Sequence, residues 1–515
     1  MKKLILRYLV FTTVPILFWN ISVSAQVELK LPAGLGISNQ LEYAYDTDKD
    51  IQILENWLNV DYRTGIFSAG IRMDVFQPND PNPAVNRGKN KYADIAFKYV
   101  QADIGNKREG IKIRIGNYYA LFGRGMVLKS YEDRNLRVDN NLLGVKVSAD
   151  FYGFSLQALT GMPESYNAER KDIIHALDIE YRGIKKIKIG VSVATNIPEV
   201  DGIANTTLAA LRSSASISNF DLYAEYGIKK NSDVEEQIFN QSEDIIGRAF
   251  YGNINFYYGP FALTGEYKYY DNYTFMSNDG TVIYNTPPAV RNDYQYILLN
   301  RHPSALDQNN EKGFQIAAIF NLSDETHFSA NYSSTKTLDP DSYYQRILSS
   351  SVSPRTQFEE FFIQGHHSWM ENFKTVAGFG YSEELSSSTK NLTPVLENRF
   401  YLDEVNTIKF IIEHQLTTNN FTDEKKYSDV LILEYLHSPE FSIALVSEMG
   451  TSEPVSGKIV RKFWNFVRVG YQLGGHTDLS LLIGSRQAGN ICIGGVCRYE
   501  REFHGAELKI TTRLY

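Results

Sequence analysis

The chain has 515 residues, of which 22% are charged and 13% aromatic, with 34 Tyr against 29 Phe and 4 Trp. A formal charge of −8 and a pI near 5.7 argue against nucleic acid as a partner, and two cysteines rule out a disulfide-rich scaffold or a four-ligand zinc cage. The charged fraction is that of a folded chain, so this length calls for several domains or for one repetitive architecture.

The first element is a leader. Lys2, Lys3 and Arg7 precede an apolar stretch over residues 8–19, and Val23-Ser24-Ala25 follows as a small-residue cleavage site. Residues 1–25 are expected to be a secretory signal peptide cut after Ala25, and residues 26–515 one domain. The other reading is an N-terminal anchor, for which the apolar stretch is short. No later apolar run approaches 18 residues. A multi-helix membrane protein is therefore excluded, and any crossing after residue 25 must use strands.

From about residue 35 the dominant signal is period 2. Ile111, Ile113 and Ile115 alternate with Lys112 and Arg114. Ile187, Ile189, Val191 and Val193 alternate with Lys188, Gly190 and Ser192. Phe261, Leu263, Tyr267 and Tyr269 alternate with Thr264, Glu266 and Lys268, and Phe328, Ala330 and Tyr332 with His327, Ser329 and Asn331. Such strands set one face in an apolar medium and show the other to water. Lys112, Arg114, Lys188, Glu266 and Lys268 then face a lumen.

Tight turns punctuate these strands near residues 63–65, 105–110, 151–153, 182–183, 218–219, 258–260, 321–325, 369–372, 402–403, 438–439 and 475–476. About eleven hairpins, with one strand before and one after, predict ~24 strands, in a range of about 22–26. The expected fold is all-β: a transmembrane antiparallel up-and-down β-barrel in a bacterial outer membrane, with short periplasmic turns and long external loops. Closure follows from physics, because an open edge in hydrocarbon leaves backbone groups unpaired. The Tyr surplus fits membrane interfaces, and runs such as Phe256-Tyr257-Tyr258 and Tyr267 to Tyr270 read as girdles before they read as sugar platforms. A secreted propeller is the competing fold, but no 40–50-residue repeat is visible.

Two long polar connections are expected outside, over about residues 230–246 and 271–310. The first holds Asp233, Glu235, Glu236, Glu243 and Asp244, a solvated loop or a weak divalent site. Residues 120–141 differ, because Phe122, Met126, Val127 and Leu128 need burial. Folded inward, this segment makes a pore constriction of Arg124, Lys129, Glu132, Asp133, Arg134 and Arg137; folded outward, it is an ordinary loop. A barrel of ~24 strands needs narrowing by inward loops or by a separate partner protein or plug.

Cys492 and Cys497 bracket Ile493-Gly494-Gly495-Val496. A two-residue Gly-Gly turn pairs Ile493 with Val496 and sets the cysteines opposite each other, so a disulfide is expected, stabilising by roughly 2 kcal/mol. Neither H-E-x-x-H nor G-x-S-x-G occurs, and His366-His367 point to opposite faces of a strand. No enzyme, metal or cofactor is expected. Ala506, Leu508, Ile510 and Leu514 alternate with Glu507, Lys509 and Arg513, and Tyr515 closes the chain in a partial match to a barrel assembly signal.

Several segments together resemble an uncharacterised family of outer-membrane barrels of Bacteroidota, known as a domain of unknown function. They are Gly116-Asn117-Tyr118-Tyr119 running into Phe122-Gly123-Arg124-Gly125, Tyr131-Glu132-Asp133-Arg134, Asp139-Asn140-Asn141-Leu142-Leu143-Gly144, Arg301-His302-Pro303-Ser304 and Phe503-His504-Gly505-Ala506-Glu507-Leu508. The resemblance implies location and architecture, and no substrate. The expected function is porin-like: passive passage of small solutes through a loop-constricted lumen, in contact with outer-membrane lipids. The alternatives are an assembly component that recruits partners and, behind it, an outer-membrane hydrolase with rim residues.

Overall fold

Each barrel strand has two hydrogen-bonded neighbours. Leu35–Asp46 pairs with Ile51–Thr64 on one side and with Phe503–Leu514, the final strand, on the other. Between them the strands follow in chain order, all antiparallel, so 24 strands close into a ring in this computed structural model. It describes residues 31–76, 93–106, 108–200, 204–231, 245–301, 305–385, 388–451, 460–493 and 496–515. The leader, the acidic segment with Asp233, Glu235, Glu236, Glu243 and Asp244, and His302 lie outside the described residues.

Alternation sorts the side chains as the period-2 pattern requires. Ile111, Ile115, Ile189, Val191, Leu211, Leu263 and Ile316 stand exposed on the outer face. Their strand neighbours Ser192, Arg212, Lys268 and Gln315 are buried within. One end of the ring carries the tight turns, among them Tyr152-Gly153, with φ of 46° and 83°, the mirror-image geometry that suits a two-residue hairpin. The turn expected at Arg182-Gly183 falls instead at Lys185-Lys186. Gly183 is taken up by a register shift between Tyr181 and Ile184, where an added Cβ would collide with the Tyr181 ring. Aromatic pairs from adjacent strands ring this end: Phe154 with Tyr181, Phe220 with Phe256, Phe261 with Phe320 and Phe373 with Phe400, with centroids 4.6–4.8 Å apart. Each such pair adds about 0.5–1.5 kcal/mol beyond its buried area.

The other end sends chain into the barrel. Phe122, Met126, Val127 and Leu128 are fully buried in one cluster with the wall residues Ile174, Ala176, Ala194, Leu208 and Ala210. The connection after residue 271, expected as a polar external loop, is also inside over residues 272–301 and 305–309. Its Tyr273, Phe275 and Tyr284 join the same cluster, and Leu298 packs in a second one with Val430, Val446 and Phe466. Tyr270 belongs to this interior and not to an interface girdle, since it is fully buried and donates to the Pro288 carbonyl at 2.8 Å.

Candidate functional site

Three wall carboxylates hold the inward segments by their backbones. Glu225 accepts the Arg124 N–H at 3.1 Å. Glu413 accepts the N–H groups of Ile297 and Leu298, at 2.9 and 2.7 Å, where the short helix Ile297–Asn300 begins. Asp271 does the same for Tyr343 and Tyr344 at the helix Tyr343–Ile347. A charged acceptor on backbone N–H groups makes a strong bond and leaves a short helix start satisfied.

The two longest inward segments also lock to each other. Lys129 N–H donates to the Tyr284 carbonyl at 2.7 Å, and Thr286 N–H to that of Gly125 at 3.0 Å. The Asn285 amide reaches the Met126 and Tyr273 carbonyls, and the Asn140 amide those of Lys129 and Ile283. Together they form a plug made of the chain itself.

The segment over residues 119–141 spans the lumen. Arg124 sits at Phe220–Asn231, the eleventh barrel strand, and Arg137 at Ile51–Thr64, the second. Its far end is a small hairpin, Glu132–Asp133 against Val138–Asp139. From this hairpin a ladder of alternating charges crosses the seam between first and last strands. Arg72 lies 2.6 Å from Asp74, 2.8 Å from Glu132 and 3.7 Å from Asp139. Arg134 also pairs with Glu132 and stacks on the Trp57 ring at 3.8 Å. Arg137 joins Glu42, at 3.1 Å, and Glu55. Lys509 lies 4.0 Å from Glu42 and 3.5 Å from Glu507, and Arg486 lies 3.8 Å from Glu507 and 2.9 Å from Glu500. Beside this ladder lies a cavity of about 680 Å³, lined by Arg134, Arg137, Arg468, Arg486, Lys509 and Glu507 among others. Burial pushes Glu132 up to about 7, helped by the Asp139 and Asp74 carboxylates and opposed by Arg72.

The candidate constriction residues therefore divide between two walls. Glu132, Arg134 and Arg137 meet at the seam. Asp133 accepts the Leu136 N–H at 3.0 Å and shapes the hairpin turn. Arg124 lies across the lumen over Tyr223, and Lys129 is tucked against Tyr131. Of the strand charges, Lys112 is exposed 3.7 Å from Asp103, Arg114 donates to Gln101 at 2.7 Å, and Lys188 is exposed near the tight-turn end. Glu266 accepts from the Tyr251 hydroxyl. Lys268 is not a free lumen charge: it is buried, 2.8 Å from Glu311, and donates to the Ala289 carbonyl of the plug. Cys492 and Cys497 are direct partners in backbone register, and their side chains lie outside the described residues. Sequence reasoning missed the wall carboxylates Glu225, Asp271 and Glu413, which look like any lumen charge on an alternating strand.

The P pilus usher PapC translocation pore is similar to this chain at 9% identity, covering 93% of it and 99% of that chain, with a TM-score of 0.48. The copper transporter OprC is similar at 8% identity, with 93% and 80% covered and a TM-score of 0.46. The siderophore receptor PirA from Pseudomonas aeruginosa is similar at 9% identity, with 94% and 81% covered and a TM-score of 0.46. Comparison with curated proteins finds no match. The match to the family of unknown function DUF6029 runs over residues 1–514, and the chain belongs to that family.

Proposed function

We propose that the protein is an outer-membrane barrel that lets small polar solutes pass, without energy input, through the part of the lumen its own loops leave open. The observation that carries this reading is the charged cavity of about 680 Å³ between the inward hairpin and the seam strands. Fixed charges of both signs along a narrow wall keep it wetted and set which ions enter. The exposed apolar outer face and the aromatic ring at the tight-turn end support placement in a bilayer. In that placement the tight turns face the periplasm and the connections that form the plug enter from outside.

The test is conductance of the purified barrel in planar bilayers, before and after deletion of residues 122–138. Small discrete openings are expected for the native protein and several-fold larger ones for the deletion. Silence from both proteins, each correctly inserted, refutes passive passage.

A further inference from the structure

Parity decides which residues of a strand face the lumen, and Ala93–Gly105 breaks it once. Ile95, Val100 and Ile104 are exposed outside, whereas Tyr99 and Gln101 are buried within. Against Phe67–Phe76, Gly70 stands opposite Tyr99, but the next residue, Ile71, stands opposite Phe97. Lys98 is the residue left over. A bulge of this kind re-aims a side chain. Lys98 lands inside, its Nζ 2.9 Å from the Asn59 amide oxygen. Regular pairing would have turned it toward the apolar outer face, where a lysine is costly.

Three more cations share this stretch of wall. Lys112 and Arg114 come from Gly110–Tyr118, and Lys146 from Leu142–Phe151. Arg114 stands directly opposite Lys146 in register. Like charges so placed weaken an antiparallel pair, so a purely structural role does not explain them. Neutral groups satisfy three of the four. Lys98 donates to the Asn59 amide and Arg114 to the Gln101 amide, while Lys146 donates to the Tyr119 carbonyl at 3.0 Å. The carboxylates nearby are partly occupied, and Glu132, which also acts on Lys98, is already paired with Arg72 and Arg134. Asp61 accepts from the Tyr99 hydroxyl at 2.8 Å, and Asp103 from the Gln101 amide at 3.0 Å while facing Lys112. Further along the wall, Asp150 faces Arg182.

We propose that Lys98, Lys112, Arg114 and Lys146 form a cationic track on the lumen wall that selects small anions, such as carboxylates. The proposal rests on the passage reading above. Neutral hydrogen-bond partners hold Lys98, Arg114 and Lys146 in place without cancelling their charge, and Lys112 stands exposed at 3.7 Å from Asp103. A low-dielectric wall then focuses the positive field on the lumen.

The experiment is the reversal potential of single barrels under a potassium chloride gradient. Native protein is expected to pass chloride in preference to potassium. Lys98→Gln with Lys146→Gln should lower that ratio by roughly threefold or more, with conductance retained. Lys112→Gln, which changes an exposed side chain, should lower it in the same direction and serves if the double variant does not insert. A conducting native barrel that prefers potassium, or a ratio unmoved by the variants, overturns the track and leaves passage standing. A native barrel that never conducts overturns both.

Discussion

Arg137 shows how much one side chain holds here. It lies at φ 54°, a left-handed conformation that is uncommon for a residue with a Cβ. That turn lets the hairpin reverse and aim the guanidinium at Glu42 and Glu55, both buried on the barrel wall. The Trp57 ring lies under it at 5.6 Å. Removing one partner of a buried charge cluster leaves the others uncompensated, which costs about 3–5 kcal/mol. Arg137→Ala is therefore expected to release the hairpin before it unfolds the barrel, because the strand ladders do not depend on it. Limited proteolysis should cut within residues 131–140 in the variant and spare them in the native protein. Equal resistance in both would show that the hairpin stays docked without the Arg137 contacts.

Among elements, the hairpin carries its own titration. Its Glu132 has a docked pKa of about 7 against an ordinary 4.5. A raised carboxyl pKa means that the docked form holds the proton more tightly than the released form. That contribution is complete below about pH 4.5 and lost as pH rises through about 7, a span worth roughly 3 kcal/mol. Hydrogen-exchange protection of the amides in residues 131–140, corrected for intrinsic rates, should be higher near pH 5 than near pH 8. The same pH change should leave the amides of Ile187–Ile197, a strand without a carboxylate or a histidine, unaltered as an internal reference. Protection that rises with pH would mean that Arg72 and Arg134 keep Glu132 ionised when docked.

The elements also show where sequence reading stops. The strands were legible because outside and inside alternate with period 2, and the tight turns because glycine and polar pairs interrupt that period. The interior placement of residues 272–301 was not, since length and polarity describe a connection without saying which way it folds. Two signals do point inward. Tyr273, Phe275, Tyr284, Tyr294 and Tyr296 are too many aromatics for a solvated loop. The strand Ile173–Ile184 begins with Ile173 exposed outside and Ile174 fully buried inside, so both of its faces are apolar there. A strand that is apolar on both faces must be covered from within as well as from without.

For the whole molecule, length became a ring of strands, and the width of that ring created the need for filling. The outer surface makes the complementary prediction, because it meets lipid all round if the barrel spans a membrane. Leu211 lies midway along Thr206–Ile217 and is 58% exposed on the outer face, while its neighbour Arg212 is buried inside with Asp178. Leu211→Arg would put a cation at the bilayer midplane and is expected to cost about 2–4 kcal/mol. Lys188→Ala, on the lumen face of the adjoining strand, should stay within about 0.5 kcal/mol, because it removes an exposed charge from a watery surface. Urea titration of folding into lipid vesicles measures both. A large loss for Leu211→Arg beside a negligible one for Lys188→Ala is the signature of a barrel with lipid outside and water inside. Equal and small losses would mean that the outer face meets water too, and the apolar band would then need another partner to cover it.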